Sequence, residues 1–296
     1  MEKLLENKKI CVVGLGLIGG TYAKALSAAG HSVSAIDRDA DAIKFALESG
    51  IISRGCSTEA DDAVADLLGD ADIIAFALYP KTLIEWLGRY GSLIPRGTLV
   101  TDATGIKSAV VYEAQRILPD GVEFIGAHPM AGREKSGVYN SDTNVFRGAN
   151  YIVTPTEKNT AEAIEICMAL GRELGFEHIT TLTPEKHDEM IAFLSQLTHC
   201  IAVALMNCPD AESGIIAEYT GDSFRDLTRI AKINGAMWSE LFLLNKEKLL
   251  DQMNMFSDTF DKLKHALEND DREEMLSMMK LSKERREAFD KPENCK

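Results

Sequence analysis

Residues 9–17 form a short apolar run that ends at glycine, the pattern of a strand buried on both faces. Gly19–Ala29 then reads as a helix, His31–Asp37 as a second strand and Asp39–Ser49 as a helix. A less regular segment extends to about Asp70. Asp72–Leu78 is a further apolar strand, closed by Tyr79-Pro80. A helix near Thr82–Gly91, a strand at Thr98–Asp102, a helix at Lys107–Leu118 and a strand at Glu123–Ala127 follow. Strands alternating with helices at this spacing predict a Rossmann-like, doubly wound parallel sheet. Asn150–Thr154 and Phe176–Leu182 read as two more strands, with a helix at Thr160–Leu174 between them.

At Thr183 the pattern changes. Thr183-Pro-Glu-Lys carries an N-cap threonine, proline at the first helical position and an early acid, and almost everything beyond it reads as helix. The chain is therefore divided into an α/β domain, residues 1–182, and an all-α domain, residues 183–296. In the second, Leu249, Met253, Phe256, Phe260, Leu263 and Leu267 recur at steps of four and three. That seam is the stripe one helix turns to another, within the chain or across a homodimer.

Composition changes this picture little. Hydrophobic residues make up 45% and charged residues 26%, ordinary globular values. The net charge of −14 is spread over both halves with no basic stripe, which argues against nucleic acid or an anionic membrane as partner. An anionic substrate would need locally placed cations. The six cysteines form no C-x-x-C pair and no His/Cys cluster of metal spacing, so no metal is expected. The polar N-terminus leads straight into the first strand, and no apolar run is expected to approach membrane-spanning length. The expected compartment is the cytoplasm.

Gly14-x-Gly16-x-x-Gly19 follows a strand and opens a helix, with Leu17 and Ile18 between the second and third glycines. In that context the first glycine makes the turn, the second admits a pyrophosphate and the third lets helix and strand pack. Asp37 ends the second strand, where a carboxylate accepts hydrogen bonds from a ribose 2′-hydroxyl and repels a 2′-phosphate. Arg38 beside it is the residue type that holds a 2′-phosphate instead. The strand-end position of Asp37 favours NAD. Further on, His128-Pro-Met-Ala-Gly-Arg-Glu-Lys-Ser-Gly137 sets a titratable group beside anion-binding donors. Placed after a cofactor-binding half, this predicts hydride transfer from an anionic substrate.

These blocks, with Thr101-Asp-Ala-Thr-Gly-Ile-Lys107, Pro184-Glu-Lys-His-Asp188 and Asp226-Leu-Thr-Arg-Ile-Ala231, resemble the prephenate/arogenate dehydrogenase family of tyrosine biosynthesis over nearly the whole chain. The resemblance implies NAD-dependent oxidative decarboxylation of a cyclohexadienol, prephenate or arogenate, to a phenol. Hydride leaves ring C4, the C4 hydroxyl loses its proton and the ring carboxylate departs as CO2. It also implies that His128 polarises the C4 hydroxyl, that Arg229 binds a carboxylate, that His199 lies at the substrate pocket, and that Asp102 and Lys107 lie between cofactor and substrate. Three positions depart from the family pattern. Gly105 stands where a serine is common, leaving Thr104 as the candidate hydroxyl. Gln196 replaces a histidine and Arg133 a serine or threonine, and both are candidates for substrate contact. His187 is assigned to the surface at a helix start, and Trp238 to core or interface.

Two other readings stand beside this one. A 3-hydroxyacid-type dehydrogenase would use a lysine in a Gly-rich helix, a context that neither Lys232 nor Lys246 has. A non-enzymatic NAD-sensing regulator would keep the cofactor fold and lose the chemistry.

Overall fold

The computed structural model describes residues 4–132, 137–208 and 218–289. Eight strands form one sheet in the order β3-β2-β1-β4-β5-β6-β7-β8. They are β1 (Lys9–Val13), β2 (Ser32–Asp37), β3 (Arg54–Ser57), β4 (Ile73–Phe76), β5 (Leu99–Asp102), β6 (Glu123–Pro129), β7 (Asn150–Thr154) and β8 (His178–Thr181). β1 to β6 run parallel; β7 is antiparallel to β6, and β8 is parallel to β7. The sheet is thus mostly parallel.

The strand residues alternate between two cores, as the period of two requires. In β1, Ile10 and Val12 join one core with α1 (Leu17–Ala28), α2 (Ala40–Glu48) and α6 (Ala161–Glu173). Cys11 and Val13 join the other with α3 (Asp61–Gly69), α4 (Pro80–Tyr90) and α5 (Ser108–Ile117). The strand order reverses between β1 and β4. Their C-terminal ends therefore open a crevice at the switch point, where ligands of such sheets bind.

The irregular segment before Asp70 contains β3 and α3, which the hydrophobic pattern does not reveal. β3 is an edge strand whose residues are at most half-buried, so it needs no apolar run. The antiparallel step at β7 is likewise invisible to periodicity, which reports faces and not direction.

Thr183 caps α7 (Pro184–Ile191) by accepting the Lys186 N–H at 3.2 Å, with Pro184 in the first turn. A π-helical turn, Ala192–Leu197, then leads into α8 (Thr198–Met206). The whole run Pro184–Met206 is 23 residues long and apolar enough, at a hydropathy of 1.5, to cross a membrane by length and composition. This corrects the expectation that no apolar run reaches such a length. The run also carries His187, Asp188 and Gln196, all buried inside the fold. Its exposed apolar side chains include Phe193, Leu194 and Met206.

By compactness the chain divides into Met1–Lys246 and Glu247–Lys296. The first unit includes α7, α8 and the helices Asp222–Thr228 and Gly235–Leu244. The second consists of most of the helix Lys246–Glu268 and the helix Arg272–Glu287, whose N-terminus Asp271 caps through the Glu274 N–H at 3.0 Å. Met253, Phe256, Phe260, Leu263 and Leu267 of the seam are exposed in the single chain.

Candidate active site

The glycine turn after β1 is built to the limit of steric contact. Gly14 has φ +96°, and a Cβ there would lie 2.7 Å from the Ala77 carbonyl at the end of β4. A Cβ on Gly19 would sit 1.8 Å from the Gly14 carbonyl, so only glycine lets α1 start this close to the strand. Gly16 differs: nothing lies within 4 Å of its would-be Cβ. It is the N-cap of α1 and no side chain caps the helix, so the amides of Leu17, Ile18 and Gly19 form an open anion site. Asp37 anchors the other side of this cradle. Its carboxylate accepts the Leu15 N–H at 2.5 Å and the Asp39 N–H at 2.7 Å. A carboxylate has about four lone-pair sites, which leaves capacity for two hydroxyls. Arg38 is exposed beside it. The turn and Asp37 together fit a dinucleotide: glycine contacts below, empty space above, and a carboxylate at the strand end.

The second half of the site grows from the C-terminal ends of β5 and β6. Asp102 ends β5, is fully buried, and accepts the Thr104 N–H at 2.9 Å and the Ala127 N–H at 3.1 Å. The Lys107 ammonium, also fully buried, donates to Asp102 Oδ2 and to the Ala127 carbonyl, both at 2.6 Å. One ion pair therefore ties β5, the turn into α5, and β6 just before His128. Asp188 of α7 accepts the amides of Lys107 and Ser108, each at 2.8 Å, at the start of α5. Its other contact is His187 Nδ1 at 2.8 Å. His187 Nε2 in turn lies 2.8 Å from His128 Nδ1, with the two rings edge to face at 5.0 Å.

These contacts fix the protons. Burial works to raise the Asp188 pKa, but hydrogen bonds from His187, Ser108 and Lys107 outweigh it and hold the carboxyl below its usual range. Burial lowers His187, with Asp188 pulling partly the other way. Burial, then the neighbouring His187 and Lys107, push His128 well below the ordinary imidazole value. Both rings are neutral at pH near 7. An ionised Asp188 requires a proton on His187 Nδ1, which makes His187 Nε2 an acceptor. His128 Nδ1 must then carry the hydrogen, so His128 Nε2 presents a lone pair. That nitrogen looks toward Gly105, whose would-be Cβ lies 3.8 Å away and 3.8 Å from Leu241 Cδ1.

Leu241 links this cluster to a second one. It lies on the helix Gly235–Leu244, and Trp238, one turn earlier, stacks on His199 at 3.7 Å between ring centroids. His199 donates from Nδ1 to the Ser195 carbonyl at 2.8 Å, a carbonyl of the π turn. Burial lowers the His199 pKa, the hydrogen bond to the Ser195 carbonyl works the other way, and the charge of Arg229 lowers it further. Arg229 opens the short 3-10 turn Arg229–Ala231 and is exposed.

Several predicted residues land elsewhere. Thr104 is buried. Its hydroxyl engages Asp102 and the Ile106 carbonyl, the latter at 2.8 Å. Lys107 is enclosed by protein and ion-paired to Asp102. Gln196 is buried, with its amide nitrogen on the Leu241 carbonyl at 3.0 Å and its oxygen accepting from Asn245 at 2.8 Å. It fastens the π turn to the neighbouring helix. Arg133 lies outside the described residues. His187 is not a surface residue: it is fully buried and is the direct partner of His128. The sequence offered one clue, the adjacency of His187 to Asp188, a carboxylate able to orient an imidazole. Among the described residues no group of three or more His, Cys, Asp or Glu is arranged to hold a metal ion.

A model of the prephenate dehydrogenase nucleotide-binding domain matches residues 22–190, and one of the prephenate dehydrogenase dimerization domain matches residues 183–281. The chain is 31% identical over 285 residues to the prephenate dehydrogenase of Bacillus subtilis (strain 168), covering 95% of this chain and 76% of that one. It is also similar to the crystal structure of prephenate dehydrogenase from A. aeolicus in complex with hydroxyphenyl propionate and NAD+. There the TM-score is 0.85 at 30% identity, covering 96% of this chain and 98% of that chain. Synechocystis arogenate dehydrogenase gives a TM-score of 0.82 at 26% identity, over 95% and 100% of the two chains.

The lowered pKa values of His128 and His187 have a consequence for stability. In the unfolded chain each histidine binds a proton near pH 6.5, whereas in the folded chain each stays neutral to lower pH. Below about pH 6.5 the unfolded state therefore holds more protons, and stability falls as pH falls. The slope is up to about 1.4 kcal/mol per pH unit for each histidine. Urea unfolding between about pH 7.5 and 5.5 measures it, and His128→Asn should remove one histidine's share. A stability profile flat across that range would contradict the neutral, buried pair.

Proposed function

The chain belongs to the prephenate dehydrogenase family, and we propose that it catalyses the NAD-dependent oxidative decarboxylation of prephenate to 4-hydroxyphenylpyruvate and CO2. The observation that carries this reading is the His128 ring, held by His187 through Nδ1 at 2.8 Å with Nε2 turned away from that contact. It faces the space beside Gly105, on the side of the sheet where the cofactor cradle opens.

The amides at the start of α1 and the Asp37 carboxylate are the groups that would hold NAD, by its diphosphate and ribose hydroxyls. When bound, NAD+ supplies the acceptor for the hydride of ring C4. The protein's own part is to orient the ring and to manage one proton. His128 Nε2 accepts a hydrogen bond from the C4 hydroxyl and takes its proton as C4 becomes carbonyl-like. Loss of the ring carboxylate as CO2 then returns an electron pair to the ring, and the oxygen recovers a proton to become the phenol. Arg229 binds a substrate carboxylate, the role its planar fork suits, and His199 with Trp238 forms the adjoining wall. The family is one of soluble enzymes. The exposed seam from Met253 to Leu267 supplies apolar surface for a homodimer through the helical half.

Four measurements test this. With Asp37 on the ribose hydroxyls, NAD should give a much higher kcat/KM than NADP, and Asp37→Ser should narrow the gap; equal use of both by the native protein would overturn the assignment. His128→Asn should lower kcat by about 10²–10⁴-fold, the usual worth of general-base assistance, with little change in KM. Arg229→Leu should instead raise KM strongly with a smaller loss of kcat. Near-native kcat in a folded His128→Asn protein, checked by circular dichroism, would sink the mechanism. Light scattering should give a mass about twice 32.5 kDa; a mass of one chain, constant with concentration, would assign the seam to a single chain.

A further inference from the structure

The reaction proposed above releases no net proton: the one that leaves the C4 hydroxyl is needed again when the phenol forms. It has to be held nearby in the meantime. His128 is a poor place to leave it, because its ring is half-buried and faces the Lys107 charge. Behind it the hydrogen-bonded chain continues through His187 to Asp188 and stops there, at the Lys107 and Ser108 amides. His187 and Asp188 are both buried, so the chain leads away from the substrate into protein. The ionised groups facing it are Asp188, Asp102 and Lys107. Two carboxylates and one ammonium leave the buried cluster at −1, and one added proton brings it to zero. The carboxylate at the side of His187 offsets part of the cost of burial, so a positive charge is less costly on His187 than on His128.

We propose that the His187–Asp188 pair is the proton reservoir of the catalytic cycle, with His187 acting through His128 and never touching substrate. This rests on the reading that His128 takes the C4 hydroxyl proton. In the forward step the substrate O–H bond breaks and the proton bonds to His128 Nε2. The His128 Nδ1–H bond breaks and that proton bonds to His187 Nε2. His187 keeps its Nδ1 hydrogen on Asp188, which stays ionised. The positive charge now lies 2.8 Å from a carboxylate, and His128 is neutral again as the Nε2–H tautomer. It has become a donor to the same oxygen. As CO2 leaves and the ring becomes aromatic, both protons step back: the oxygen regains one and His128 Nδ1 the other. No proton crosses to solvent.

The test is His187→Gln. A glutamine at this position has an amide oxygen to accept the His128 Nδ1 hydrogen and an amide nitrogen to donate to Asp188, so the resting tautomer is kept. It cannot take a proton. KM for prephenate should stay within about threefold, while kcat falls by about 10–100-fold, less than removal of the base itself. The acidic limb of the kcat profile should move to lower pH, because a proton must then rest on His128 opposite Lys107 and without Asp188. An unmoved limb, or one moved to higher pH, would show His187 to be packing or a simple electrostatic neighbour. Nitrogen-15 NMR of the histidines in the native enzyme tests the same point without a variant. Both rings should carry hydrogen on Nδ1 at neutral pH, and the first imidazolium on acidification should form at His187. Protonation of His128 first would overturn the reservoir. The two proposals fail separately. An active His128→Asn enzyme defeats the base assignment, whereas an inactive one with an unshifted His187→Gln limb defeats only the reservoir.

Discussion

The Lys107 ammonium is the fixed point from which the rest of the site is built. It has no access to water, and the cost of burying it is offset by Asp102 and the Ala127 carbonyl, each at 2.6 Å. Such pairs add little net stability, since desolvation takes back much of the Coulomb energy. Their worth lies in geometry. Breaking one partner strands a buried charge, so the three segments they join cannot drift independently. Here those segments are the end of β5, the turn into α5 and the last residues of β6. The main chain of Lys107 adds α7 to the set, because its amide and that of Ser108 both end on Asp188. His128 and His187 come from chain positions 59 apart, yet each is attached one residue from an anchor of this network. Their 2.8 Å contact is therefore imposed from behind.

Much of this fold was legible from hydrophobic pattern alone. Seven of the strands fall where apolar runs and glycine breaks put them, most plainly β1 and β4, whose residues Ile10–Val13 and Ile73–Phe76 are apolar throughout because helices cover both faces. β3 was not, since an edge strand with residues such as Arg54 and Ser57 has no such demand on it. The chemistry was legible in proportion to how local it is. The glycine turn and Asp37 announce themselves because the turn is a property of consecutive residues. His128 stands out by its Pro/Gly-rich loop. His187 was misplaced because its partner is 59 residues upstream, and a histidine three positions past a helix start is ordinarily solvated. Thr104 and Gln196 were less legible for a different reason. Their side-chain types suit a site, but hydrogen bonds within the fold already engage their polar atoms.

The run from Pro184 to Met206 shows why composition is a weak guide to environment. By length and hydropathy it passes for a membrane span, yet one face holds His187, Asp188 and Gln196 in hydrogen bonds with other parts of the fold. In a bilayer those groups would be costly; in this fold each has its partner, and the helix is polar where it meets the site. The Ser195 carbonyl of the π turn in its middle accepts from the Thr198 hydroxyl and from the His199 ring, so an irregular stretch of backbone becomes a support for a side chain.

Charge is divided in the same economical way. A protein of net charge −14 that takes an anionic substrate must place cations locally, but an uncompensated cation against His128 would strip it of basicity. The two needs are met by different residues. Arg229 carries its charge at the exposed side of the site, close enough to weigh on His199. Lys107 lies on the buried side, ion-paired to Asp102, and lowers the His128 pKa less than burial and His187 do. In the proposed reaction, binding charge and catalytic base are thus kept apart, and His128 remains a neutral acceptor beside an anionic substrate.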